Sequence, residues 1–253
     1  MKPLFSVIVL VFTLISCHKK DISKAMVKSS DKQIQQIQRK TINFPSKDKL
    51  LITADDYPII PAGNYALLCH QARFSRGEYR ETAPLLVSKS FHCLAIDQRS
   101  GDRVKGVINE TAKRAREKGL PTNYLDARQD IEAAIDYAYK ENNNKPILLV
   151  GSSYSASLSL LIGNKNPKVK AIAVFSPGEY FKGYVIADSI KDIQKPIFIT
   201  SAKKELKGVK ELVKNVDKKY ITLFEPKTAG FHGSKALWKE NKGHEAYRNA
   251  FND

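Results

Sequence analysis

The run Ile147-Leu148-Leu149-Val150-Gly151-Ser152-Ser153-Tyr154-Ser155-Ala156 contains a strand, a bend and the start of a helix. Its first four residues are apolar and suit a buried strand, while Ala156 to Ile162 reads as a helix. A strand that passes into a helix through so few residues turns sharply, and the residue at the apex adopts a strained backbone. The positions two before and two after the apex must then be small. Gly151 and Ser155 meet that demand around Ser153, whereas Ser152, Ser155 and Ser157 lack this pattern of a glycine two before and a small residue two after. Open α/β sheets bind ligands at the carboxyl ends of their strands, so the Ser153 hydroxyl is expected to face a site.

Outward from this bend the chain alternates between compact apolar runs and amphipathic segments. Tyr65 to Cys69, Phe91 to Ile96, Pro146 to Val150, Val169 to Phe175, Pro196 to Thr200 and Tyr220 to Phe224 suit strands buried on both faces of a parallel sheet. Leu50-Leu51-Ile52 begins an earlier strand, and the turn-rich Asp55-Asp56-Tyr57-Pro58 precedes another, as in an antiparallel hairpin. Between the strands, Asn123 to Glu141 repeats apolar residues at three- and four-residue spacing, with Thr122 as the expected N-cap and Asn142-Asn143-Asn144 as the stop. Ser234 to Phe251 is expected as a final helix burying Leu237, Trp238 and Tyr247. Strands separated by helices imply a doubly wound α/β domain with right-handed crossovers.

The N-terminal part differs. Lys2 precedes the apolar run Leu4 to Ile15, which is shorter than the roughly 20 residues a permanent span needs and fits a secretory signal. It ends in Leu14-Ile15-Ser16-Cys17, which resembles the bacterial lipobox. The resemblance implies a signal peptide over residues 1–16, lipid on Cys17 and a domain carried outside the cytoplasm, in the cell envelope. Acyl chains contribute about 0.8 kcal/mol per buried methylene, enough for stable anchoring when two or three are present. Residues 17–44 are polar and rich in Lys, Gln and Ser, and are expected to form a tether to a domain spanning 45–253.

With 253 residues, 42% hydrophobic and 9% aromatic, the chain has enough apolar side chains for a substantial core and is not of disordered composition. Its three cysteines exclude a disulfide-dense scaffold, and no Cys-x-x-Cys pair offers a zinc site. The net charge of +16 raises the question of nucleic acid or anionic surfaces. The lysines are dispersed, as in Lys113-Arg114, Lys203-Lys204 and Lys218-Lys219, with no aromatic-interleaved basic stripe, so no nucleic-acid partner is expected. Cys69 and Cys93 lie in two apolar strands; an oxidising compartment allows a disulfide, but packing as small hydrophobes is the favoured expectation.

From Pro45 onward, roughly four-fifths of the chain, the sequence resembles the α/β-hydrolases, and among them the small dienelactone-hydrolase-like members. Gly151-Ser152-Ser153-Tyr154-Ser155 is similar to the Gly-x-Ser-x-Gly nucleophile elbow, with Ser155 in place of the second glycine. Leu67 to Ala72 resembles the His-Gly-x or His-Gln-x segment after the third strand, and Ala95 to Gly101 the Asp-x-Arg-Gly stretch after the fourth. The resemblance implies a mostly parallel, doubly wound sheet of about eight strands flanked by helices, with no large lid between Phe175 and Pro196. It also implies a Ser-His-acid triad in which Ser153 is the nucleophile and His232, in Ala229-Gly230-Phe231-His232-Gly233-Ser234, is the base.

The acid is Glu205, in Ser201-Ala202-Lys203-Lys204-Glu205, or else Glu179, with Asp188 and Asp192 as further candidates. Family members more often carry Gly-x-x-Asp in the loop that holds Glu205. Backbone N–H groups of Ala72 and Tyr154 are implied as the oxyanion donors. His70 is expected to shape its loop, and Asp97 and Arg99 to form a buried pair or to support a turn. The chemistry implied is hydrolysis of an acyl bond, most simply a small or polymeric carboxylic ester, through an acyl-enzyme and with no metal or cofactor. The rival expectation is an envelope lipoprotein that keeps the fold as a non-catalytic binding module.

Overall fold

A computed structural model describes residues 38–59 and 63–252. The segment 1–16, Cys17 and most of the expected tether lie outside the described residues. Strand β1 (Lys40–Pro45) pairs antiparallel with β2 (Leu51–Tyr57), so ordered structure begins inside the stretch 17–44 expected to be tether. β3 (Asn64–Cys69) and β4 (Phe91–Ile96) follow, then a small ribbon of β5 (Arg103–Val104) and β6 (Val107–Ile108). The remaining strands are β7 (Ile147–Ser152), β8 (Val169–Phe175), β9 (Ile197–Thr200) and β10 (Ile221–Phe224). The main sheet has eight strands in the order β1-β2-β4-β3-β7-β8-β9-β10. β3, β4 and β7 to β10 are mutually parallel, and β2 runs against β4.

Seven helices connect and cover these strands among the described residues: α1 (Thr82–Val87), α2 (Glu110–Glu117), α3 (Arg128–Glu141), α4 (Tyr154–Lys165), α5 (Ile186–Ile190), α6 (Leu206–Leu212) and α7 (His244–Asn252). α3 packs on β3, and α4 packs on β7 and β8. The central strands are buried nearly throughout, from Ala66 to Cys69 and again at Leu149 and Val150, as expected for strands covered on both faces. α4 is buried around almost its whole circumference, which explains its lack of a polar face.

Four local expectations differ from the structure. Asp55 and Asp56 lie inside β2 instead of a turn, because Arg76 pairs with Asp55, the His92 ring hydrogen-bonds Asp56, and the hairpin partner is β1. The helix expected from Asn123 starts at Arg128, preceded by a single 3-10 turn at Leu125–Ala127; Ala127 stands at the N-cap in place of Thr122, and Asp126 accepts the Asn123 N–H. Its end falls at Asn142, where Asn143 and Asn144 take positive φ of 54° and 58°. The last helix is split into a 3-10 turn, Ser234–Leu237, and α7, since the Trp238 indole N–H turns inward to the Glu78 carbonyl. Of the two expectations for Asp97 and Arg99, the pair is not formed, since Arg99 is held by Asp130 and Asp48. Asp97 does support turns, accepting the Arg76 and Glu110 N–H groups beside the Arg76 guanidinium.

Cys69 and Cys93 are free and buried. They are offset by three positions along adjacent strands, as Ala66 stands opposite Cys93. Among the described residues no helix is long and apolar enough to cross a membrane.

Candidate active site

The bend after β7 carries Ser153 at φ 58° and ψ −122°, a conformation that costs a non-glycine residue about 1–3 kcal/mol. Surrounding bonds hold it there. The Ser153 N–H donates to the Phe175 carbonyl at 2.8 Å. The Ser155 hydroxyl accepts the Ser152 N–H at 2.9 Å and donates to the Cys69 carbonyl at 2.7 Å, tying the bend to β3. Ser155, where the motif usually has glycine, therefore supplies a brace that glycine lacks. Gly151 is indispensable for a different reason: a Cβ there would stand 2.5 Å from the Ser155 carbonyl oxygen and 2.7 Å from Ala156 Cα. α4 crosses β7 too closely for any side chain.

Ser153 Oγ lies 2.8 Å from His232 Nε2, and His232 Nδ1 lies 2.8 Å from Glu205 Oε1. The structure thus brings Ser153, His232 and Glu205 into one hydrogen-bonded chain, although Ser153 and His232 are separated by 79 positions in sequence. Glu205 closes the 3-10 turn Lys203–Glu205 just after β9. Its other oxygen, Oε2, accepts the Ser176 hydroxyl at 2.7 Å and the Ala202 N–H at 3.1 Å. Burial pushes the Glu205 carboxyl up, but the bonds from His232, Ser176 and Ala202 outweigh it and hold the group below its ordinary value.

Glu179, the competing acid, instead accepts the N–H groups of Ile186 and Ala187 at the start of α5. Asp192 accepts from Asn164 and pairs with Lys165, and Asp188 opens α5.

Ser176, at the end of β8, has φ 55° and is the second non-glycine residue of the site in the left-handed region. Its hydroxyl receives the Gly233 N–H at 2.9 Å while donating to Glu205, so it links the acid to the histidine loop. Tyr180 donates from its hydroxyl to the Ser176 carbonyl at 2.9 Å, and the same hydroxyl lies beside Ser153. Burial raises its pKa. Sequence reasoning passed over both residues. For Ser176, a serine directly after a buried strand in this region was the available signal; for Tyr180 there was none.

The N–H groups of Ala72 and Tyr154 donate to no other protein group among the described residues. Tyr154 is the first residue of α4, so its N–H has no partner within the helix. The preceding loop is fixed by His70, which is fully buried. Its Nε2 accepts from the Gln98 N–H and the Asn109 amide, both at 3.0 Å, which leaves Nδ1 to donate to the Gln71 carbonyl at 2.8 Å. Burial pushes the His70 pKa down to about 4 against two opposing backbone bonds, so the ring is neutral at physiological pH. His70 shapes its loop and stands outside the Ser153–His232–Glu205 chain.

Two open clefts flank these residues. One of about 600 Å³ is lined by Lys203, Lys204, Phe231, His232 and Lys235. The other, about 680 Å³, lies across Glu205 beside Pro177, Glu179 and Val185. The exposed Tyr124 ring stacks on Tyr154 at 4.6 Å. Among the described residues no group of three His, Cys, Asp or Glu side chains is arranged to hold a metal ion.

Sheet order, crossover helices and the bend after β7 define the α/β-hydrolase fold, with no large lid among the described residues. No protein-family model and no curated protein matches the chain. Solved structures do match in fold. An esterase from Pyrococcus furiosus superposes with TM-score 0.66 at 15% identity, covering 87% of this chain and 91% of its own. A dienelactone hydrolase from Anabaena variabilis gives TM-score 0.66 at 13% identity, covering 86% and 96%. The esterase domain of a Rhodothermus marinus protein gives 0.57 at 14%, covering 85% and 94%.

Proposed function

We propose that the chain is a serine hydrolase of acyl bonds, carboxylic esters first among them, carried at the bacterial envelope by lipid on Cys17. The observation behind the chemistry is the 2.8 Å contact of a strained, nearly buried Ser153 hydroxyl with an imidazole whose far nitrogen meets a carboxylate. In this reading Ser153 Oγ attacks the ester carbonyl carbon as its proton passes to His232 Nε2. The carbonyl oxygen becomes an oxyanion facing the N–H groups of Ala72 and Tyr154. Collapse breaks the bond to the alcohol, which leaves with the proton from His232. Water then gives a proton to His232 as its oxygen attacks the acyl-enzyme, and collapse releases the acid while His232 returns that proton to Ser153 Oγ. Glu205 keeps the Nδ1 proton of His232 in place and stabilises the imidazolium.

Esters are preferred because esterases and a dienelactone hydrolase share the fold. A non-catalytic binding module drew its support from the missing Gly-x-x-Asp, and Glu205 bonded to His232 removes that support. The test is labelling with a fluorophosphonate probe followed by hydrolysis of a panel of short acyl esters. Labelling of wild type that disappears in Ser153→Ala is expected; a folded wild type that neither labels nor hydrolyses any ester refutes the reading. For the anchor, radiolabelled palmitate should enter the wild type and not Cys17→Ser.

A further inference from the structure

Glu78 is fully buried, and no arginine, lysine or histidine pairs with it among the described residues. It sits in the 3-10 turn Arg76–Tyr79, beneath the bend that carries Ser153. An isolated carboxylate in such a place is costly unless donors satisfy it. Three do. Oε1 accepts the Ser152 hydroxyl at 2.8 Å and the Ser234 hydroxyl at 2.6 Å, and Oε2 accepts the Gln71 N–H at 2.7 Å. The Ser152 oxygen also receives the Ser234 N–H at 2.8 Å, a second tie between the serine bend and the histidine loop.

These donors come from three separate loops. Gln71 directly precedes Ala72, Ser152 directly precedes Ser153, and Ser234 follows His232 by two positions. We propose that Glu78 is the positioning residue of the site, its single carboxylate clamping the oxyanion-donor loop, the serine bend and the histidine loop in mutual register. The proposal rests on the acyl-transfer reading above. With the Gln71 N–H spent on Glu78, the next N–H, that of Ala72, is left as the loop's donor toward a substrate.

The surroundings are shaped for the same contact. At Gly233, φ 72°, a Cβ would lie 2.4 Å from Gln71 Oε1 and 2.6 Å from Ser152 Oγ, so only glycine lets the histidine loop close onto the carboxylate. The Trp238 indole N–H reaches the Glu78 carbonyl at 2.9 Å, holding the turn from the other side. Burial raises the Glu78 pKa against the bonds from Ser234, Gln71 and Ser152.

The decisive experiment compares Glu78→Gln with wild type in the full-length chain. It measures kcat and KM on a short ester and the second-order rate of fluorophosphonate inactivation. The amide keeps the volume but loses the charge, and with its oxygen on the Gln71 N–H its NH2 turns both serine hydroxyls from donors into acceptors. Since a misplacement of about 1 Å costs about 100-fold, kcat and the inactivation rate should fall by about 10- to 100-fold while KM moves less than about threefold. A folded Glu78→Gln with wild-type rates overturns the proposal. If that variant does not fold, Ser234→Ala decides: it frees only the histidine loop, and its kcat should drop by at least about fivefold, the equivalent of one hydrogen bond. An unchanged kcat in Ser234→Ala overturns the proposal. A wild type inert to the probe overturns the acyl-transfer reading, and this proposal with it. A reactive wild type and an equally reactive Glu78→Gln overturn the role of Glu78 alone.

Discussion

Replacing Glu205 by glutamine changes one oxygen into a donor and leaves the side chain's size intact, so its effect follows from hydrogen-bond directions. The carboxylate receives three donors: His232 Nδ1–H on Oε1, and the Ser176 hydroxyl and Ala202 N–H on Oε2. Glutamine has two ways to sit. With its carbonyl toward His232, the NH2 group points at the Ala202 N–H, which stood 3.1 Å from the oxygen it replaces. Two facing donors cost about 1–3 kcal/mol. With its NH2 toward His232, Nδ1 becomes the acceptor, the ring proton moves to Nε2, and the base meets Ser153 with a proton already in place.

The second arrangement avoids the clash and is inactive, so the active tautomer is depleted about 5- to 150-fold. The active fraction also lacks the negative charge that steadies the imidazolium. Hydrogen bonds to charged groups contribute about 1.5–3 kcal/mol against about 1 for neutral ones, and partial exposure of Glu205 reduces the difference to roughly 1 kcal/mol, another fivefold or more. The product is a fall in kcat on the order of 100-fold, with KM nearly constant. Hydrolysis of p-nitrophenyl acetate by folded Glu205→Gln measures it. A loss below about tenfold, or an equal loss in Glu179→Gln, would show the orientation of His232 to be set by something other than Glu205.

Three other outcomes are expected. Gly151→Ala should push α4 off β7, lowering stability by about 1–3 kcal/mol in urea titration and slowing fluorophosphonate labelling; a neutral effect on both would contradict the close contact seen at Ser155 and Ala156. Asp130→Ala should cost about 3–5 kcal/mol, because Arg99, itself fully buried, would keep only the more exposed Asp48 as partner; a loss under about 1 kcal/mol would contradict this. His70 should stay neutral as pH falls. Its native pKa of about 4 lies below the ordinary 6.5, so the unfolded chain binds a proton there first. Stability is then full above about pH 6.5 and declines by roughly 3 kcal/mol as pH falls to about 4, at 1.36 kcal/mol per unit. The C2–H resonance of His70 checks this, and a midpoint near 6.5 would refute it.

Much of the fold was legible in the chain because its signals are local. Runs such as Phe91–Ile96 and Val169–Phe175 became strands with the boundaries read from sequence, since their last four residues are buried on both faces and are all apolar. The bend at Ser153 was legible for a steric reason: only small residues fit around it. Boundaries failed where polar side chains found distant partners. Asp55 and Asp56 suggest a turn by composition, and Arg76 and His92 make them tolerable in β2. Trp238 suits a continuing helix by spacing, and the Glu78 carbonyl draws its indole inward.

The sequence by itself determined the layered α/β architecture and the strained serine, because each depends on neighbours a few positions away, while the loop histidine followed from the resemblance to the α/β-hydrolases. Only the tertiary structure placed Glu205, and not Glu179, beside His232, separated Asp97 from Arg99, and revealed Glu78 under three loops. Those choices depend on which side chains meet in a low-dielectric interior. There a carboxylate is tolerated only where donors converge, and residues 78 and 234, 156 positions apart, converge solely through the folded sheet.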